Sequence, residues 1–243
     1  MLKLPRIYVF GCGTLFVIYI TALYLAVGLA SSRIQVLTVG LINYLWPGLS
    51  LVFSVPLLGR KARAALPVGI LIALAGIWLA NTSGTGLSLQ ALALDRDALA
   101  PYSLALVAAV SWGLYSNLSR RWAGESEAGA VPLFLLASGA LLALLRLFAP
   151  ETSHWSGQAV IEVIYMALFP GMLAYVLWDI AVRKGEFILI TSLSYLTPLL
   201  STIVSTLILK VSPGPTLWLG AGLVIAGAWI CNTSIITPRQ QEV

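Results

Sequence analysis

One segment of this chain occurs twice, and the second copy follows the first at an offset of 151 residues. Residues 43–50 read Asn-Tyr-Leu-Trp-Pro-Gly-Leu-Ser, and residues 194–201 read Ser-Tyr-Leu-Thr-Pro-Leu-Leu-Ser. The offset holds without a gap for further identical pairs: Tyr24 and Tyr175, Gly69 and Gly220, Gly76 and Gly227, and Trp78 and Trp229. An internal repeat constrains the fold strongly, because both copies are expected to form the same structural unit.

The composition places both copies in a membrane. Of the 243 residues, 59% are apolar and only 9% are charged, whereas a soluble domain carries about 25% charged residues. A helix needs roughly 17–25 apolar residues to cross a bilayer. Eight segments qualify: 7–29, 34–56, 65–82, 103–120, 131–149, 158–182, 187–210 and 215–235. The predicted fold class is therefore all-α, a polytopic transmembrane helical bundle.

The basic residues set the direction of these spans, because loops rich in Lys and Arg stay in the cytoplasm. Ten of the fourteen fall on one side of the predicted topology: Lys3, Arg6, Arg60, Lys61, Arg63, Arg120, Arg121, Arg183, Lys184 and Arg239. The other side receives Arg33, Arg96, Arg146 and Lys210. We therefore expect both termini in the cytoplasm. The net charge of +5 reflects helix ends and does not indicate nucleic-acid binding.

The two copies are predicted to face opposite ways. Span 34–56 runs from outside to inside, whereas its counterpart 187–210 runs from inside to outside. An inverted repeat with proline-interrupted spans is typical of secondary transporters, whose binding site lies at midplane between the repeats.

The predicted organisation has four parts. The first repeat covers residues 1–83, an external loop covers 84–102, the second repeat covers 103–235, and a cytoplasmic tail covers 236–243.

Prolines interrupt both copies near the middle of their spans. Pro47 has no amide hydrogen for the carbonyl of Asn43, and Pro198 has none for the carbonyl of Ser194. Each carbonyl is expected to be free at midplane, where a side chain, water or substrate must satisfy it.

Pro170-Gly171 breaks span 158–182 in the same way and is predicted to free the carbonyl of Met166. Small and polar residues around these breaks share one helix face in each copy. They predict a cavity lining, and close helix packing is the alternative reading.

Aromatic residues occur near midplane depth in both halves of the chain. Trp and Tyr in membrane proteins usually form belts at the lipid interface. Several of these are too deep for a belt, and their O–H or N–H groups need partners, so a polar cavity suits them. The predicted substrate-binding residues are Tyr24, Asn43, Tyr44, Trp46, Trp112, Tyr115, Tyr175, Ser194 and Tyr195. The predicted helix breaks are Pro47, Pro170, Gly171 and Pro198.

No pattern in the sequence predicts catalysis. Cys12 and Cys231 are isolated residues in apolar spans, and His154 is the single histidine, so neither a metal site nor a cofactor is expected. Asp179 lies one turn before Arg183, and an ion pair between them is more plausible than a proton relay. We therefore expect no enzyme and no proton coupling through a deep carboxylate.

At this point the chain resembles the EamA-type transporters of the drug/metabolite transporter superfamily, and within them the exporters of aromatic amino acids. The motifs that carry the resemblance are Asn-Tyr-Leu-Trp-Pro at 43–47, Ser-Trp-Gly-Leu-Tyr at 111–115 and Ser-Tyr-Leu-Thr-Pro at 194–198. The resemblance implies ten spans in two inverted five-helix repeats. It also implies export of amino acids or other metabolites from the bacterial cytoplasm through a central cavity.

The first half departs from that pattern, because it has three predicted spans where the second has five. Counterparts of spans 103–120 and 131–149 are expected before Lys3. A misplaced start codon, a fragment, or two chains that complement each other would each account for the difference.

The leading hypothesis is a secondary exporter of aromatic or bulky neutral amino acids that works by alternating access in the bacterial plasma membrane. The expected partners are a small-molecule substrate and the lipid bilayer, with no nucleic acid. An exporter of other small metabolites or drugs is one alternative. A truncated membrane protein that transports nothing is the other.

Overall fold

The computed structural model describes residues 4–82, 96–123, 129–148, 155–209 and 214–236. Most of the predicted external loop, His154 and nearly all of the predicted tail lie outside these ranges.

The first half contains four α-helices. A π-helical turn at Tyr8–Cys12 leads into α1, and the helices are α1 (Gly13–Leu29), α2 (Arg33–Asn43), α3 (Trp46–Leu58) and α4 (Ala65–Thr82). The backbone turns between α2 and α3 at Tyr44 and Leu45, so this pair forms one interrupted span.

The second half begins with a 3-10 turn at Arg96–Ala98. Its helices are α5 (Leu99–Trp122), α6 (Val131–Arg146), α7 (Gly157–Met166), α8 (Ala174–Lys184), α9 (Phe187–Leu193), α10 (Leu196–Leu209) and α11 (Pro215–Ser234). A π-helical segment, Ala167–Leu173, joins α7 to α8. The first of these helices begins four residues before the predicted start at residue 103.

The helices confirm the predicted fold class. Four helical spans within the described residues are long and apolar enough to cross a membrane: Tyr8–Leu29, Arg33–Leu58, Leu99–Trp122 and Gly157–Lys184. Four shorter apolar stretches complete the set: Ala65–Ala80, Val131–Arg146, Phe187–Ser201 and Trp218–Ser234. Each observed stretch corresponds to one of the eight predicted spans.

Local chemistry fixes several helix ends. The side chain of Ser32 accepts the amide hydrogen of Gln35 at the start of α2, and Ser156 accepts that of Ala159 at the start of α7. Gly59 ends α3 in the left-handed region, with φ of 63°, which a glycine adopts without steric strain.

Helices α4 and α11 pack backbone against backbone. A Cβ on Gly76 would lie 2.6 Å from the amide nitrogen of Val224, and one on Gly220 would lie 2.8 Å from the carbonyl oxygen of Gly76. A Cβ on Gly227 would collide with Ala73 in turn. Ala73 and Gly76 are the repeat partners of Val224 and Gly227, so the contacts themselves obey the inverted repeat. Small residues let membrane helices approach this closely.

A short β-ladder joins the chain just before α4 to the chain just after α11. Strand β1 (Lys61–Ala62) pairs antiparallel with β2 (Ile235–Ile236), with Lys61 opposite Ile236. The amide of Arg63 also donates to the carbonyl of Ser234 at 2.8 Å. The sequence did not predict this ladder, because two-residue strands carry no periodic pattern.

The helix break in the second copy differs from the prediction. The backbone turns at Ser194 and Tyr195, as expected, but the carbonyl of Ser194 is not free. The amide of Thr197 donates to it at 3.1 Å, because the chain tightens to a three-residue turn there.

The prediction that the carbonyl of Met166 is free is also wrong. Pro170 lies inside the π-helical segment, where amides donate to carbonyls five residues earlier, as that of Ala174 does to Phe169. This pattern aims the amide of Gly171 at the carbonyl of Met166. A Cβ on Gly171 would lie 2.8 Å from that carbonyl oxygen. The helix thus accommodates Pro170 by a change of register.

Candidate functional site

Trp112 lies at the centre of seven aromatic side chains that we call the aromatic cluster. Its ring centroid lies 4.5 Å from that of Tyr19, 5.1 Å from Tyr115 and 5.4 Å from Tyr175. The other three rings around it, Phe16, Trp46 and Trp178, lie at 5.9, 6.3 and 6.0 Å. Most pairs meet edge to face or tilted, as aromatic quadrupoles favour.

Helix periodicity builds the cluster. Phe16 and Tyr19 on α1, Trp112 and Tyr115 on α5, and Tyr175 and Trp178 on α8 are three pairs spaced i and i+3, so each pair shares one helix face. The seventh ring belongs to Trp46, which opens α3 directly after the turn in the first copy. Both repeats therefore contribute rings.

Hydrogen bonds hold the cluster from two sides. The indole of Trp178 donates to the hydroxyl of Ser116 at 3.1 Å, which donates onward to the carbonyl of Trp112 at 2.9 Å. The phenol of Tyr175 lies 3.5 Å from that of Tyr19. Asn43 is within hydrogen-bonding reach of the Tyr19 phenol.

A charged group lies beneath the cluster, towards the predicted cytoplasmic end. Asp179 is 1% exposed, and its Oδ1 accepts hydrogen bonds from the phenols of Tyr115 at 2.9 Å and Tyr8 at 3.1 Å. Its Oδ2 pairs with Nε of Arg183 at 2.8 Å, which confirms the predicted ion pair. The amide of Ala130 donates to the Tyr8 oxygen at 3.2 Å. We call these groups the Asp179 node.

A mainly apolar groove of about 940 Å³ lies beside the cluster and reaches from Pro132, at the predicted cytoplasmic end of α6, to Tyr24 in the predicted outer half of the bundle. It runs between α1, α6 and the α7–α8 span. Tyr175 belongs to both the cluster and the groove, and Tyr24 and Glu162 line the groove farther from the node. The site therefore has a filled, hydrogen-bonded end and an open end.

The structure brings together four of the residues predicted to bind substrate: Trp46, Trp112, Tyr115 and Tyr175. Tyr24 is 59% exposed in the groove. Tyr44 is half-buried and packs against the core that contains Leu51, whereas Asn43, also half-buried, lies near the phenol of Tyr19.

Ser194 and Tyr195 lie elsewhere. Tyr195 is fully buried in a second core with Leu51, Ile77 and Val224, and its hydroxyl lies 2.8 Å from where a Cβ on Gly48 would be. Ser194 is buried next to it. Of the predicted break residues, Pro47 and Pro198 are buried, Gly171 is half-buried, and Pro170 is exposed.

Sequence reasoning missed Phe16 and Tyr19. Both lie in a span that is apolar on every side, so periodicity could not identify a special face. Their i and i+3 spacing, which matches the Trp112 and Tyr115 pair, was the available signal.

Comparison with known proteins assigns the family. The pattern of the EamA-like transporter family matches residues 99–233, which is more than half of the chain. The chain belongs to the EamA-like transporter family. This confirms the resemblance that the three sequence motifs indicated.

Individual relatives extend the match over most of this EamA-like transporter. The aromatic amino acid exporter YddG of Escherichia coli (strain K12) is 27% identical over 231 residues, covering 94% of this chain and 78% of the relative. YddG of Ancylobacter novellus is 32% identical over 197 residues, covering 79% and 66%. A solved crystal structure superposes with a TM-score of 0.79 at 30% identity, covering 100% of this chain and 80% of its own.

These matches identify the EamA-like transporter as a membrane protein that moves a small-molecule substrate, not an enzyme. The aromatic cluster is the candidate place for that substrate, because it lies where helices of both repeats meet.

Proposed function

We propose that this EamA-like transporter exports aromatic or bulky neutral amino acids from the cytoplasm, with the substrate bound beside the aromatic cluster. Alternating access would expose that site first to the cytoplasm and then to the outside. The observation that carries the proposal is the ring of six aromatic side chains around Trp112.

The chemistry of the cluster supports an aromatic substrate. Edge and face contacts between rings contribute about 0.5–1.5 kcal/mol each beyond the burial of area. A ring that enters from the groove next to Tyr175 would meet both faces and edges, and the phenols of Tyr24 and Tyr175, which line the groove, would offer hydrogen bonds to polar substituents. The relatives named as aromatic amino acid exporters support the same substrate class.

Orientation and location belong to the same proposal. The basic ends of α5 and α8 favour a topology with both termini in the cytoplasm of a bacterial cell. The Asp179 node would then lie on the cytoplasmic side, and the groove would extend from there towards the outside.

The test is efflux of radiolabelled phenylalanine from cells that carry Trp46→Ala. The indole contacts Trp112 and Trp178, with centroid distances of 6.3 and 5.0 Å, so its loss should reduce efflux about tenfold while membrane insertion stays normal. Tyr44→Ala, which removes a ring from the turn that precedes Trp46, should reduce efflux to a smaller degree.

Thr197→Ala is the matched control, because Thr197 is the repeat partner of Trp46 and is exposed. It should leave efflux unchanged. Normal phenylalanine efflux by both Trp46→Ala and Tyr44→Ala would remove these two residues from the substrate site.

The size and apolar lining of the groove favour a second candidate, the export of other bulky apolar metabolites or drugs. Competition distinguishes the two. Excess unlabelled tryptophan should suppress phenylalanine efflux if aromatic amino acids are the substrates, and apolar amines without a carboxylate should suppress it only under the alternative.

A further inference from the structure

The Asp179 node joins four separate elements at one end of the candidate site. Asp179 and Arg183 belong to α8, Tyr8 to the turn before α1, Tyr115 to α5, and Ala130 to the start of α6. Both phenols are fully buried, so water does not compete for these bonds. Hydrogen bonds to a buried charge are among the strongest in proteins.

The node is continuous with the aromatic cluster. Tyr115 donates to Asp179 and stacks on Trp112 at 5.1 Å with an interplanar angle of 28°. The carboxylate therefore fixes the ring that forms the floor beneath Trp112. From Tyr175 the groove continues to Tyr24 and Glu162 on the predicted outer side, where it is open. One end of the site is closed by charge-assisted bonds while the other is open, which is one state of an alternating-access cycle.

We propose that Asp179 is a positioning residue that closes the substrate site at the cytoplasmic end, and that its bonds with Tyr8 and Tyr115 break when the site opens to that side. The inference rests on the proposed function, since it assigns a gate to the proposed substrate site. Asp179 acts through the two phenols and does not itself touch the substrate in the closed state.

The backbone around Tyr8 is suited to such a movement. Tyr8 opens a π-helical turn that ends at Cys12, whereas the rest of α1 is regular. Single π-helical turns occur mostly inside α-helices and frequently at functional sites. The proposed movement of this end of α1 away from α8 would take place at this turn.

The two native cysteines provide a reporter and a control. Cys12 lies one turn after Tyr8 in the same buried cluster as Tyr115, and Cys231 is buried between α4 and α11, far along the chain from the node. Opening at the node should expose Cys12 to the cytoplasm and leave Cys231 protected.

The experiment measures labelling of both cysteines by a small, membrane-impermeant methanethiosulfonate reagent. Full-length protein is used in inside-out and in right-side-out vesicles, and labelled peptides are resolved by mass spectrometry. The variants are Tyr8→Phe, which keeps the ion pair, and Asp179→Asn. The control is Tyr165→Phe, which removes an exposed phenol on α7.

In inside-out vesicles we expect Tyr8→Phe to raise the labelling rate of Cys12 about tenfold, with Cys231 unchanged, because one charge-assisted bond no longer opposes opening. Asp179→Asn should raise it at least as much, and Tyr165→Phe should not change it. For phenylalanine transport, KM on the cytoplasmic side and kcat should both fall, since the open state becomes more populated and the return step slower.

Unchanged Cys12 labelling in Tyr8→Phe would overturn the gate, as would a parallel rise at Cys231, which indicates general loosening. Labelling that rises at Cys12 only from the outside would also overturn it. The labelling does not depend on substrate identity. Altered labelling without any phenylalanine efflux from the wild type would therefore reject the proposed substrate and keep the gate.

Discussion

The two copies of the repeated span share their sequence pattern and differ in what covers them. Ser50 on α3 is fully buried against α5, where the side-chain amide of Asn117 donates to the Ser50 carbonyl at 2.9 Å. Its repeat partner Ser201 on α10 is exposed. This one position of the small, polar face thus packs against a helix in one copy and is exposed in the other.

The spans that precede these copies show the same contrast. Phe16 and Ala22 on α1 are buried against α5 and α6, as are most residues on that face. In the equivalent span of the second half, only Ala159 and Gly171 are even half-buried between residues 157 and 174. A repeat therefore fixes the backbone of each unit, while the neighbouring helices decide which faces become core.

Helices α4 and α11 are the exception, because each covers the other. Their glycine contacts are reciprocal, and this is where the two halves are most alike.

Substitution in this reciprocal contact should have the largest effect. In Gly76→Leu the new Cβ would meet the backbone of Val224 and Gly220, which cannot move aside. The free energy of unfolding should therefore fall by more than about 3 kcal/mol. Gly222→Ala, which has open space around its Cβ position, is the control. Thermal unfolding in detergent measures both, and an equal response of the two variants would refute the close contact.

Substitution of each serine in turn tests directly whether the two positions differ in burial. Ser50→Leu forces a larger side chain between α3 and α5 and should destabilise the protein by about 1–3 kcal/mol. Ser201→Leu places the same side chain on an exposed face and should change stability by less than about 0.5 kcal/mol. If both variants unfold at the same temperature, the two faces are equally covered in the membrane.

Substitution at position 48 should cost less stability than Gly76→Leu. Gly48 has Leu199 as its repeat partner, and a Cβ at Gly48 would lie 2.8 Å from the Tyr195 hydroxyl and 2.9 Å from Ile70. Because both contacts are with side-chain atoms and not with backbone, Gly48→Ala should cost about 1 kcal/mol. Tyr195→Phe in the same background should recover part of this loss, and additive effects would show that the phenol is not the obstacle.

The sequence alone predicted the fold well. Hydropathy marked every span, and the repeated proline motif marked the turns at Tyr44 and at Ser194. Both signals are local, since they depend on side-chain transfer to lipid and on the missing amide of proline.

The fate of individual carbonyls was not predictable in the same way. The carbonyls of Ser194 and Met166 were expected to be free, yet the backbone changed its hydrogen-bond register at each site. Small changes in the backbone dihedral angles of a few residues are enough for such adjustments. No residue type in the sequence indicates them.

The candidate site was predictable only in part. Trp112, Tyr115 and Trp46 were found from their motifs, whereas Phe16 and Tyr19 were hidden in a uniformly apolar span. The Asp179 and Arg183 pair was predicted from its spacing, but the two phenols on Asp179 come from 64 and 171 residues away in the chain. Long-range partners of this kind require the packed structure.

The reciprocal glycine contact also determines how late in synthesis the two helices can pack together. Gly76 and Gly227 are 151 residues apart, and synthesis at roughly 5–20 residues per second separates them by about 8–30 s. During that interval α4 is in the bilayer with its glycine face uncovered, and β1 has no strand to pair with. Helix α11 leaves the ribosome after α4 and thus completes the first repeat as well as the second.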